Sequence, residues 1–129
     1  MKRIIIADDE PNMTRVLKLA LERAGYAVLN CPNGREALLA VRKQPPDLLI
    51  TDIQMPVMTG QELCQAIHAE MPDRRFPIFV MTSMTDREHR EWTARIGGIT
   101  FLEKPLSMRI VQQRIAEALQ TSAAGGAPA

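Results

Sequence analysis

The chain is 129 residues long, 46% hydrophobic and 24% charged, which suits one globular domain around a single core and excludes disordered and fibrous classes. Lysine and arginine number 16 against 15 aspartate and glutamate, so the balance gives no reason to expect direct nucleic-acid binding or a membrane partner. No stretch approaches the roughly 18 apolar residues of a spanning helix, and the apolar run behind the basic start is too short for a signal peptide, so the expected location is the cytoplasm.

Ile4-Ile5-Ile6-Ala7 is a short apolar run rich in β-branched residues, the pattern of a strand covered on both faces. It ends in Asp8-Asp9-Glu10. Pro11 suits a first helical position, and Val16, Leu17, Ala20 and Leu21 recur at helical spacing until Gly25 supplies a stop. The alternation then repeats. Residues 27–30 predict strand two, and Gly34 to Lys43, with Ala37, Leu38 and Val41 on one face, predicts helix two before Pro45-Pro46. Residues 48–51 predict strand three. Thr59 and Glu62 form a capping box ahead of a helix carrying Leu63, Ala66 and Ile67, which Pro72 ends. Residues 78–81 predict strand four, followed by a charged helix from about Asp86 to Arg95 that stops at Gly97-Gly98. Residues 100–102 predict strand five, and Ser107 caps a last helix bearing Ile110, Val111, Ile115, Ala118 and Leu119.

Five strands alternating with five helices imply an α/β fold, a parallel sheet with helices on both faces, because right-handed crossovers place them there. The expected strand order is 2-1-3-4-5, that of the flavodoxin-like class. The domain is expected over residues 1–120, with TSAAGGAPA from 121 to 129 as a flexible tail or linker. So few residues beyond helix five leave no room for a second domain, and the chain reads as standing alone or as cut from a larger protein.

Sites in open α/β sheets lie beyond the carboxyl ends of the strands. Strand one ends at Asp8 and Asp9, strand three at Asp52, strand four at Thr82 and Ser83, and strand five runs out to Lys104 before Pro105. Taken singly, an aspartate after a strand is a cap or turn residue. Their conjunction points further, since clustered carboxylates cost stability unless cations answer them. Lys104 answers one charge and a bound divalent cation would answer the others. Oxygen ligands favour Mg²⁺ or Mn²⁺, and such a site suits phosphoryl transfer, with Asp52 as the nucleophile.

The pair Asp8-Asp9, the stretch Asp52-Ile53-Gln54-Met55-Pro56 with Gly60 beyond it, Thr82-Ser83 and the dipeptide Lys104-Pro105 stand in an order and spacing that resemble the receiver domains of two-component response regulators. The resemblance covers roughly residues 2–119. It implies a phospho-accepting domain that is not a turnover enzyme but assists its own phosphorylation and autodephosphorylation. Asp52 would take the phosphoryl group from a histidine kinase or histidine phosphotransfer protein. Asp9, Asp52 and the Gln54 carbonyl would ligate Mg²⁺, and Asp8 would hold a water of that ion. Lys104 would pair with phosphoryl oxygens, and the Thr82 hydroxyl and Ser83 backbone N–H would bind them after transfer. The family's switch aromatic falls on Phe101, which with Thr82 would bias the surface of helix four, strand five and helix five. Gln54 and Met84 flank the expected phosphoryl group and would govern its lifetime. The cognate donor and the downstream effector are not legible.

Competing readings fit less well. A flavin carrier needs a hydroxyl- and glycine-rich phosphate loop where Asp8-Asp9-Glu10 stands, and an aspartyl-phosphate phosphatase of the haloacid-dehalogenase kind expects an acid where Gln54 stands. A degenerate receiver acting only as an interaction module is the remaining alternative, opposed by the full set of site residues. Cys31 and Cys64, outside any CxxC spacing, read as reduced and buried. His68 and His89 read as unpartnered surface residues, and Trp92 as either a packing residue or part of a partner surface.

Overall fold

The structure is a computed structural model that describes residues 1–83 and 87–122. Its elements alternate as expected: β1 (Arg3–Ala7), α1 (Pro11–Arg23), β2 (Ala27–Cys31), α2 (Gly34–Lys43), β3 (Leu48–Asp52), α3 (Gly60–Glu70), β4 (Ile78–Thr82), α4 (Arg87–Ile96), β5 (Ile99–Glu103) and α5 (Met108–Ser122). Strands pair in parallel in the order β2-β1-β3-β4-β5. This is the flavodoxin-like α/β arrangement. Each strand extends a residue or more past its expected bounds, because ladder pairing with a neighbour, as in Ala7 with Cys31 and Thr82 with Glu103, recruits end residues whatever their polarity.

The sheet divides the core in two. Side chains alternate across a strand, so Ile5 and Ala7 of β1 join Ala37, Leu38 and Val41 of α2, Leu63 and Ile67 of α3 and Trp92 of α4 on one face. Ile4 and Ile6 join Leu17 and Leu21 of α1 and Val111, Ile115 and Leu119 of α5 on the other. Covering both faces is what makes the central strands continuous apolar runs. The Thr59–Glu62 capping box forms as expected, with Thr59 N–H donating to Glu62 Oε1 at 2.9 Å and Glu62 N–H to Thr59 Oγ1 at 3.2 Å.

Some expectations are corrected. Val16 and Ile110 keep helical spacing but are 55% and 43% exposed, since each stands at the edge of its helix's apolar stripe, turned past the sheet. Trp92 is 6% exposed within the first core layer and is a packing residue. His89 has a partner, because its Nδ1 accepts from Trp92 Nε1–H at 3.0 Å. His68 is half-buried, not a surface residue, and its Nδ1 is buried without a hydrogen-bond partner. Both cysteines are free and buried. Helix α5 runs two residues beyond the expected domain end, and the rest of the expected tail lies outside the described residues, as do Met84 and the expected start of helix four at Asp86. Among the described residues no helix is long and apolar enough to cross a membrane.

Candidate functional site

The carboxyl ends of β1, β3, β4 and β5 bring the expected residues to one rim. Asp52 is the last residue of β3 and is almost fully buried. Its two oxygens are held separately. Oδ1 accepts the Ile53 backbone N–H at 2.7 Å, and Oδ2 accepts from Lys104 Nζ at 2.9 Å. Lys104 reaches it from the residue after β5, where its own N–H donates to the Thr82 carbonyl at 2.8 Å; the Lys104–Pro105 peptide is cis. The backbone of Asp52 is also fixed, its carbonyl accepting from the Thr51 hydroxyl at 2.8 Å.

Asp8 and Asp9 follow β1. Asp8 is 3% exposed, Asp9 is exposed, and one oxygen from each lies with one from Asp52 within 4.8 Å of one another. Asp8 Oδ1 accepts the Glu10 N–H at 3.0 Å, whereas its Oδ2 is buried with no hydrogen-bond partner among the described residues. Burial pushes the Asp8 carboxyl above the ordinary carboxylate range; the Glu10 amide opposes the rise and the Asp52 charge adds to it. A buried acceptor without a partner and three carboxylates answered, among the described residues, by one ammonium are what a cation-binding site looks like before its ion is counted. The donor set is entirely oxygen, so the cluster fits a hard divalent cation.

Other expected residues lie on or just after β3, β4 and β5. Thr82 ends β4 and is buried, and Ser83 follows it, exposed. Gln54 stands exposed on the loop after β3. Phe101 is half-buried on β5, pairs across the ladder with Val80, and packs on the first core layer. Together with Thr82, Ile110 and Val111 it lines a groove of about 540 Å³ beside α5. Met84 lies outside the described residues. Sequence reasoning missed the Ile53 backbone N–H that orients Asp52, because a backbone donor leaves no residue signature. It also missed the contact between the start of α2 and the loop after β3, where the Gly34 N–H donates to the Met58 carbonyl.

The sequence matches the family described as the response regulator receiver domain over residues 4–116. It is 35% identical over 114 residues to the probable transcriptional regulator ycf27 of Galdieria sulphuraria, covering 88% of this chain and 44% of that protein. It is 31% identical over 121 residues to the alkaline phosphatase synthesis transcriptional regulatory protein PhoP of Bacillus subtilis, covering 94% and 50%. The chain thus spans about half the length of the curated relatives it matches. Among solved structures, a CheY-like receiver domain protein from Methanospirillum hungatei superposes with a TM-score of 0.89 at 27% identity, over 98% of this chain and 99% of that one. This chain therefore belongs to the response regulator receiver family, whose domains are phosphoryl acceptors that assist their own phosphorylation and dephosphorylation.

Proposed function

We propose that this receiver takes a phosphoryl group on Asp52 from the phosphohistidine of a histidine kinase or histidine phosphotransfer protein, with Mg²⁺ or Mn²⁺ held by Asp9, Asp52 and the Gln54 carbonyl, and Asp8 acting through a bound water. The observation that carries the reading is the Asp52 carboxylate, held by Lys104 at 2.9 Å and grouped with Asp8 and Asp9 oxygens within 4.8 Å. When bound, the cation neutralises charge on the phosphoryl oxygens.

The protein's own groups do the rest. The Ile53 N–H and Lys104 hold the two Asp52 oxygens apart and in fixed directions, so the nucleophile is presented to phosphorus with little reorganisation. As the bond from an Asp52 oxygen to phosphorus forms, the bond to the departing imidazole nitrogen breaks. Lys104 then exchanges its carboxylate partner for a phosphoryl oxygen, and the Thr82 hydroxyl and Ser83 backbone N–H take the others. Movement of Thr82 toward the phosphoryl group opens room for Phe101, which lines the same groove beside α5, and so biases the α4, β5 and α5 surface. The side chains at positions 54 and 84 control the approach of water.

Intact-mass measurement after exposure to a small acyl phosphate tests the proposal. One phosphoryl group is expected on the parent and none on Asp52→Ala or in EDTA. Labelling of the Asp52→Ala protein, or labelling undiminished by EDTA, would overturn it.

A further inference from the structure

Between Pro56 and Met58 the chain makes a γ-turn. The Met58 N–H donates to the Pro56 carbonyl at 2.7 Å across Val57, whose φ is +69°. Positive φ is the strained form of this turn, and a β-branched residue suits it poorly. Such a conformation persists where its surroundings over-determine it, and both of its flanks are held. On one side the Gly60 N–H donates to the Ile53 carbonyl at 2.9 Å, so close that a Cβ at Gly60 would collide with the Asp52 carbonyl oxygen. On the other side Gly34, the first residue of α2, donates its N–H to the Met58 carbonyl at 3.1 Å. A Cβ at Gly34 would lie 2.5 Å from that oxygen and 2.9 Å from Met58 Cγ. The loop that carries Gln54 away from Asp52 is therefore clamped at two points by backbone approaches that only glycine permits.

We infer that Gly34 is a positioning residue for the divalent cation: by letting the first turn of α2 close on Met58, it holds the strained turn and sets the Gln54 carbonyl and Asp52 relative to each other. The inference rests on the cation reading proposed above. Among the described residues Gly34 makes no hydrogen bond to the acidic cluster; its N–H contact is with Met58, through which it acts. Alanine is the better helix former, so Gly34→Ala would favour α2 if there were room; weakened ion binding would come from the displaced loop.

Binding of Mn²⁺, followed by loss of the free-ion electron paramagnetic resonance signal, is compared in the parent, Gly34→Ala and Leu119→Ala. Leu119 lies in the other core layer, on α5, and its truncation supplies a destabilised control. Affinity is expected to fall about tenfold in Gly34→Ala, as when a group supporting metal ligands is lost, and to be unchanged in Leu119→Ala. Parent-like affinity in Gly34→Ala, or an equal loss in the control, would overturn the inference. A parent that binds no Mn²⁺ overturns the cation reading itself and this inference with it. Should Gly34→Ala fail to fold, amide exchange in the parent decides: coupling is reciprocal, so Mg²⁺ must slow exchange of the Gly34 N–H, and an unchanged rate alongside ion-induced shifts at Ile53 overturns the clamp.

Discussion

Asp8→Asn should make the metal-free protein more stable while removing most of what Mg²⁺ adds. The three carboxylate oxygens lie within 4.8 Å of one another, so each pair repels by about 3.5 kcal/mol at an effective dielectric near 20. Lys104, at 2.9 Å from Asp52, and solvent around the exposed Asp9 offset part of this. Asn keeps an oxygen for the Glu10 N–H and replaces the unpartnered buried Oδ2 by a donor facing acidic neighbours. A net gain of about 1–2 kcal/mol follows, or a rise in Tm of about 4–8 °C. The pH dependence has a definite sign. Burial raises the folded-state pKa of Asp8, so the folded protein binds its proton more tightly, and this residue's contribution makes stability fall as pH rises from the unfolded carboxylate range through the higher folded value. The advantage of the Asn variant is therefore widest at neutral pH and closes on acidification. Mg²⁺ at ten times its dissociation constant should stabilise the parent by about 1.4 kcal/mol and the variant by much less. Urea unfolding of both proteins at pH 7 and at pH 4, with and without Mg²⁺, measures all of these terms. A metal-free variant no more stable than the parent, or one that gains equally from Mg²⁺, refutes the reasoning and leaves Asp8 as a turn residue holding Glu10.

Lys104→Met removes the cation from Asp52 and leaves a nearly buried carboxylate beside two others, so urea unfolding should show a loss of about 2 kcal/mol without metal, partly recovered in Mg²⁺. Val57→Gly keeps the turn and relieves a β-branched residue at φ +69° that is 72% exposed and packs little; its unfolding midpoint should rise by an amount equivalent to about 1 kcal/mol, and a fall would mean that the valine side chain makes a needed contact. Burial pushes the Cys64 thiol up to about 12 and raises Cys31 as well, so neither should react with an aromatic disulfide reagent at pH 8 in the folded protein, and both should react in denaturant.

Local patterning determined the order and type of the elements. The runs at Ile4 to Ala7 and Ile78 to Met81, the capping box at Thr59 and Glu62, and the stop at Gly25 are local signals, each produced by forces acting within a few residues. Because parallel strands joined by helices have few permitted topologies, local signals also reached the strand order, and through it the rim where Asp8, Asp9, Asp52, Thr82 and Lys104 meet. What only the tertiary structure decided is everything that depends on which face an element turns and which backbone approaches which. Val16 and Leu17 are neighbouring apolar residues, yet one is exposed and the other buried, because the sheet covers only part of α1. Trp92 could have faced a partner until α4 docked it in the core. The Ile53 N–H on Asp52 and the approach of Gly34 to Met58 are made by backbone atoms. Side-chain identity carries no record of such contacts, since any residue supplies the same N–H and a glycine at a helix start reads the same whether or not another backbone lies against it.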